Sequence, residues 1–191
     1  FRVTVGGRRF VASSEGFFQN NLDVTALIAA AVCEKMKTLG PVPVFFDLYA
    51  GVGTFSILCA SDAKKIIAIE ENGPSLDALR MNKEEKKMAQ LEIISGRVEK
   101  VFPEVYLKNN LRDAVIFLDP PRQGLGGKLA QTLAASKETG MIFYLSCDLM
   151  TLARDLNIIL AGGHYRLLEA TAFDMFPRTK HIEILAVLAR T

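Results

Sequence analysis

Short, unbroken apolar runs that alternate with amphipathic stretches set the strongest limit on what this chain can fold into. Val42–Leu48, Lys65–Ile69, Leu91–Ile94, Ala114–Leu118 and Met141–Leu145 read as strands. Between and after them, Phe55–Ala60, Pro74–Met88, Val98–Leu107, Lys128–Ser136 and Leu149–Leu160 read as helices, the second opened by its proline and the last closed by Gly162-Gly163. Strands that are apolar throughout, rather than at every second residue, are covered on both faces, which implies a parallel sheet between two layers of helices. Two more strands follow with no helix between them, near Tyr165–Ala172 and Ile182–Leu188, so one of the pair runs antiparallel. The expected fold is α/β: a mostly parallel seven-stranded sheet with an antiparallel strand at its C-terminal end and helices on both faces.

Ahead of this pattern, Phe1–Val5 and Arg8–Ala12 flank Gly6-Gly7 as a β-hairpin. Residues 1–15 are expected to be the remnant of a preceding domain, with 16–191 forming the main one. Asn20 or Asn21 is placed to cap a helix running to about Leu39, with Leu22, Ala26, Ala29, Ala30 and Cys33 as its apolar positions and Gly40-Pro41 as its stop. The chain starts Phe1-Arg2 with neither an initiator Met nor a signal-peptide pattern, and reads as a piece of a longer protein.

At 191 residues the chain is long enough for one sizeable core. A net charge of +2 argues against a surface that coats nucleic acid, while leaving room for local basic patches. No apolar run reaches the ~18 residues a bilayer span requires. Cys33, Cys59 and Cys147 form no CxxC pair and no zinc spacing, so a reducing, cytoplasmic setting and no metal site are expected. A monomer is expected.

Ligands of open α/β sheets sit at the carboxyl ends of the strands, and three segments there carry polar chemistry. The first is Asp47-Leu48-Tyr49-Ala50-Gly51-Val52-Gly53-Thr54. Its glycines let a ligand approach the backbone, and the helix that follows favours negative charge. Asp47 could receive an ammonium group. Glu70 ends the next strand, where a carboxylate suits a ribose diol. Both NAD and S-adenosylmethionine carry that ribose, and a tight turn with a solvated acid is the plain structural reading. The second segment is Asp119-Pro120-Pro121-Arg122, a loop stiffened by two prolines. Asp119 can hydrogen-bond cofactor or substrate, and Arg122 can meet an RNA phosphate. Enzymes that methylate amino groups carry an aromatic where Arg122 stands. The third is Ser146-Cys147-Asp148, where a strand gives way to a helix. A helix N-terminus and Arg122 would favour the Cys147 thiolate, and Asp148 would oppose it. Glu183 is a lone acid in an apolar strand, and a buried acid needs a partner or a task. His181 reads as a structural hydrogen-bonding residue.

A thiol and a carboxylate suit methylation of uracil C5. That carbon is too weak a nucleophile unaided. Thiolate addition at C6 makes it an enolate, and a general base must later remove the C5 proton. The base must also be extruded from its helix to reach a buried thiol.

At these residues the sequence resembles the RNA uridine-5-methyltransferase family, which acts on tRNA or ribosomal RNA. Phe17-Phe18-Gln19 with Asn20/Asn21, the glycine block, Glu70, Asp119–Arg122, Tyr144–Cys147 continued by Thr151-Leu152-Ala153-Arg154-Asp155, and Phe176–Glu183 carry the resemblance along nearly the whole chain. It implies a Rossmann-like class I fold and S-adenosylmethionine as cofactor, held by Gln19, Asp47, Tyr49, Gly51, Gly53, Thr54, Glu70 and Asp119. It implies Cys147 as nucleophile, Glu183 as base, and residues 16–191 as a catalytic domain whose RNA-binding domain lies N-terminal to it. Arg122, Arg178 and Lys180 are candidate RNA contacts, with Arg8 and Arg9 equally well explained by surface solvation. Ala50 stands where the family has Cys, and Asp148-Leu149-Met150 replaces Asn-Pro-Ala. Methylation of an amino group, a non-catalytic RNA- or cofactor-binding module and, last, a nicotinamide oxidoreductase are the competing readings.

Overall fold

The structure is a computed structural model that describes residues 1–109, 112–175, 179 and 182–191. A two-stranded hairpin, β1 (Arg2–Val5) and β2 (Arg8–Val11), leads into α1 (Leu22–Met36). Then come β3 (Val44–Leu48), α2 (Thr54–Cys59), β4 (Lys65–Glu70), α3 (Gly73–Glu85), β5 (Leu91–Ser95) and α4 (Val98–Leu107). The chain finishes through β6 (Val115–Leu118), α5 (Gly126–Ala134), β7 (Met141–Ser146), α6 (Leu149–Ala161), β8 (Tyr165–Phe173) and β9 (Glu183–Arg190). The large sheet has seven strands in the order β5-β4-β3-β6-β7-β9-β8. The ladders among β3 to β7 are parallel, whereas β9 runs antiparallel to both β7 and β8. This is the alternating architecture with one reversed strand that the apolar runs imply.

The sheet separates two cores. On one face Phe45, Phe117 and Phe143 pack with Ile28, Val32 and Phe55, and the Phe55 and Phe117 rings stack at 4.1 Å. On the other, Phe46, Ile116 and Tyr144 pack with Phe102, Leu129 and Leu152, and Phe102 meets Phe46 edge-on at 5.5 Å. Alternate residues of each central strand feed opposite cores, which is why β3 and β6 are apolar at every position but Asp47.

Asn21 caps α1 through a bond from the Val24 amide at 3.1 Å. Its buried stripe is Thr25, Ile28, Ala29 and Val32, and Ala30 faces solvent. Of the expected positions Ala29 is buried and Leu22, Ala26 and Cys33 pack partly buried against the core; Ala30 misses, since a helix rich in alanine offers little contrast between faces. α3 stops at Glu85 rather than Met88, because Lys87 takes a left-handed φ of 53° just past the last turn. The hairpin rests on α1 and α3, with Phe10 fully buried and the Asn82 side chain bonded to both the amide and the carbonyl of Val11. Among the described residues no helix is long and apolar enough to cross a membrane.

Candidate active site

β3 is flanked by β4 on one side and β6 on the other, so successive connections leave it toward opposite edges of the sheet. A crevice forms outside the carboxyl ends of strands at such a reversal. Here it is a cleft of about 910 Å³ lined by Gln19, Tyr49, Gly51, Glu70, Asp119, Arg122, Cys147 and Glu183, among others. Eight residues picked from separate stretches of sequence thus meet in one place.

The glycine turn gets its shape from left-handed backbone at Tyr49 (φ 63°), Gly51 (55°) and Gly53 (82°). At Gly53 a Cβ would also collide with the Leu79 side chain. The Glu70 carboxylate ties the turn down: Oε2 accepts the Gly51 amide at 2.8 Å, and Oε1 accepts the amides of Glu71 and Asn72 at 2.9 and 2.7 Å. The Tyr49 hydroxyl donates to Glu99 at 2.7 Å. Burial and that carboxylate hold the phenol well above its ordinary range.

Asp47 does not open on the cleft. It is 1 % exposed, and its Oδ2 accepts the Ser56 amide at 2.9 Å and the Ser56 hydroxyl at 2.6 Å. It fastens β3 to the first turn of α2. Gly53 and Thr54 likewise lie beneath the lining, both buried. Desolvation pushes the Asp47 carboxyl up to about 7 against the pull of those two bonds.

Asp119 does face the cleft, with Gln19 Nε2 donating to its Oδ2 at 2.8 Å. Desolvation, then the charges of Glu183 and Asp47, push Asp119 up to about 8. Glu183 opens β9 and is 8 % exposed; desolvation raises it to about 7, with Arg122 pulling the other way. Cys147 follows β7, half-buried, on the strand that pairs with β9. Desolvation and Glu183 push its thiol up, while a hydrogen bond to Arg122 and that residue's charge pull it down. Arg122 therefore serves both reactive groups, and the phosphate contact expected from sequence is only one of the tasks open to it. Asp148 caps α6 through Thr151 N at 2.9 Å, which holds its carboxyl below the usual range. Arg178, Lys180 and His181 lie outside the described residues.

Sequence reasoning missed three groups. Glu99 and Phe17 line the cleft, the first from the opening turn of α4 and the second from the stretch before α1. Nothing local distinguishes Glu99 from any acid in a first helical turn. The third is a buried network around Asp155. Its Oδ2 accepts the Leu125 amide and the Tyr144 hydroxyl, both at 2.8 Å, and its Oδ1 accepts Arg154 Nε and Nη2 at 2.9 and 2.8 Å. Arg154 also donates to the Gln123 carbonyl at 2.9 Å and Thr151 to that of Arg122 at 3.1 Å. α6, which starts two residues after Cys147, thus grips the loop that carries Asp119 and Arg122. Among the described residues no group of acids, histidines and cysteines is arranged to hold a metal ion.

A protein of Listeria innocua named as an uncharacterised RNA methyltransferase is 34 % identical to this chain over 185 residues, covering 97 % of the chain and 40 % of that protein. A Clostridium acetobutylicum protein of the same description is 34 % identical over 188 residues, with the same coverage. The chain thus spans about two fifths of the length of these relatives. Among solved structures, the tRNA (uracil-54, C5)-methyltransferase of Pyrococcus abyssi, in complex with S-adenosyl-L-homocysteine, superposes with a TM-score of 0.80 at 27 % identity, over 99 % of this chain and 44 % of that one. Trm5b from the same organism gives 0.73 at 18 % identity over 98 % and 55 %, a likeness of fold. The family profile described as tRNA (Uracil-5-)-methyltransferase matches residues 2–191, and the chain belongs to that family of methyltransferases.

Proposed function

We propose that this chain is the catalytic domain of an enzyme that moves a methyl group from S-adenosylmethionine to C5 of a uridine in tRNA or ribosomal RNA, with Cys147 as nucleophile and Glu183 as base. The observation that carries the reading is a thiol and a buried acid opening on one cleft, with a single guanidinium, Arg122, bearing on both. Bound S-adenosylmethionine supplies an electrophilic sulfonium methyl. Glu70 suits the ribose diol, since its carboxylate sits at the cleft wall on three backbone amides. Gln19, Tyr49, Gly51 and Asp119 line the cofactor's place, and Asp119 is the acid that faces its ammonium group. Asp47, Gly53 and Thr54 act from below by setting the shape of the turn.

On this reading the Cys147 sulfur adds to uracil C6, and the pair of electrons from the C5–C6 double bond becomes an enolate at C5–C4–O4. C5 then takes the methyl. Glu183, ionised above about pH 7, removes the C5 proton, and the returning electrons expel the Cys147 thiolate. The hairpin over residues 1–15 is the end of a preceding RNA-binding domain, resting on this one, and Arg122, Arg178 and Lys180 contact the RNA.

The test is to mix the intact protein with RNA and S-adenosylmethionine after Glu183→Gln. A covalent protein–RNA adduct that resolves slowly is expected, because its methylated intermediate keeps the C5 proton. The adduct is expected to vanish when Cys147→Ala is added. Full activity of Cys147→Ala alone would remove the mechanism, and modified RNA lacking 5-methyluridine would remove the substrate assignment.

A further inference from the structure

Two cysteines lie far from each other in sequence and away from the cleft lining, yet the fold brings them together. Cys33 is on the last turn of α1 and Cys59 is the last residue of α2, and these helices pack on each other. Their backbone bonds are reciprocal. The Cys33 thiol donates to the carbonyl of Leu58, the residue before Cys59, at 3.5 Å. The Cys59 thiol donates to the carbonyl of Ala29, one helical turn before Cys33, also at 3.5 Å. Each sulfur thereby sits beside the other residue's backbone. Cys33 is half-buried and open to small solutes, while Cys59 is buried.

We propose that Cys33 and Cys59 are a redox-modifiable pair, in which hydrogen peroxide oxidises Cys33 and Cys59 resolves it to a disulfide joining α1 to α2. In the first step the Cys33 thiolate attacks one oxygen of the peroxide; the O–O bond breaks, Cys33 becomes a sulfenic acid, and the other oxygen leaves as water after taking a proton. In the second step the Cys59 sulfur attacks the Cys33 sulfur, the S–O bond breaks, and the hydroxyl leaves as water with the proton of Cys59. Two thiols lose two electrons in all and one peroxide gains them.

The surroundings favour this order. The Cys59 hydrogen bond holds the Cys33 thiol down to about 7, helped by Lys37 and Arg8 and opposed by burial and Glu34. Cys59 is pushed up, first by its bond to Cys33 and then by burial, the Cys33 charge and Asp47. Conversion of Cys33 to a neutral sulfenic acid removes the Cys33 charge from those causes, so the resolving thiol becomes more acidic when it is needed. Cys147, pushed up by burial and Glu183, is the poorer target at neutral pH.

Treatment of the folded protein with one equivalent of hydrogen peroxide, followed by alkylation and peptide mapping, is expected to yield one linkage, between the peptides of Cys33 and Cys59, with Cys147 alkylated. Cys59→Ser is expected to stop at the sulfenic acid, which a cyclic 1,3-diketone captures on Cys33. The rate of Cys33 oxidation is expected to fall about tenfold between roughly pH 8 and 6, as the thiolate titrates. A wild-type map with no linkage between Cys33 and Cys59, or with Cys147 oxidised first, overturns the proposal; this arm needs no variant to fold.

Discussion

Replacement of Asp155 by alanine is expected to cost about 4 kcal/mol of folding stability and to impair catalysis beyond that loss. The carboxylate is fully buried and accepts from the Tyr144 hydroxyl and the Leu125 amide, whose own residues are 0 and 1 % exposed. Truncation leaves both donors without a partner and without water. An orphaned buried donor costs about 1–3 kcal/mol, so the two together come to about 4 kcal/mol. The Arg154 side chain is half exposed and regains solvent, so it adds little. In a chain of this size each kcal/mol moves the melting temperature by about 2–4 °C, which gives a drop of about 12 °C. Urea unfolding at constant slope checks the free energy. Tyr144→Phe removes one donor and leaves the rest, and is expected to cost about 1 kcal/mol. In the double variant the two losses should fall short of additivity, because the alanine has already removed the partner of the hydroxyl. A cost below about 1 kcal/mol for Asp155→Ala, or strict additivity with Tyr144→Phe, would refute the reasoning. Gly124 offers an independent probe of the same clamp. A Cβ there would collide with Asp155 Oδ2 at a φ of 75°, so Gly124→Ala is expected to loosen the Asp119–Arg122 loop and lower turnover more than it lowers stability.

Three further outcomes bear on the cleft. Asp47, Asp119 and Glu183 are all raised, to about 7, 8 and 7, so the folded chain keeps protons that the unfolded chain releases near its ordinary carboxylate range. Their contribution is greatest below about pH 4, where both states hold the protons, and is lost progressively up to about pH 8; the unfolding free energy of the ligand-free protein should decline over that window and level off above it, and Asp119→Asn, which mimics the protonated acid, should flatten the decline. An unchanged slope in that variant would show that Asp119 is ionised throughout. Activity should rise through about pH 7 as Glu183 ionises, and Arg122→Ala should shift the rate profile to higher pH because both the thiol and the acid lose their cation; a fall in rate with an unmoved profile would leave Arg122 as an RNA contact alone. Glu70→Gln should weaken binding of S-adenosylhomocysteine, read by calorimetry, by about tenfold, the scale of one charge-assisted hydrogen bond, and unaltered affinity would take the ribose away from Glu70.

How much of this was legible beforehand depends on the range over which each cause acts. The strands were readable because burial on both faces leaves an unbroken apolar run, a property of four to six neighbouring residues. The glycine turn and the Asp119 loop were readable for a similar reason: left-handed backbone and fixed φ are properties of single residues. Helix phase in α1 was less so, since Ala26, Ala29 and Ala30 carry no information about which of them meets Thr25 and Val32 in the core. Lys87 stopped α3 early through a backbone angle that its residue type does not announce.

Inside the cleft the limit is different, because charge acts through space. Asp47 looked like a ligand from its place at the end of β3, and only the fold shows Ser56 arriving from α2 to occupy it. Asp119 looked like an acid bonding cofactor or substrate from a stiff loop, and the fold adds that it meets Glu183 from β9 and Asp47 from β3 in a common field. That convergence has a physical consequence for the reaction. Asp119 and Glu183 in one desolvated cleft, with Asp47 buried beneath it, cannot all ionise cheaply, so an ionised Asp119 needs a cation beside it. A ligand ammonium bound there would hold Asp119 ionised. The proton that Asp119 loses leaves a negative charge that the ammonium offsets, so the pair adds little net field at Glu183. Cofactor binding at Asp119 is thus expected to leave Glu183 ionising near pH 7, so the acid limb of single-turnover rates should coincide with that of substrate-free proton uptake at the same residue.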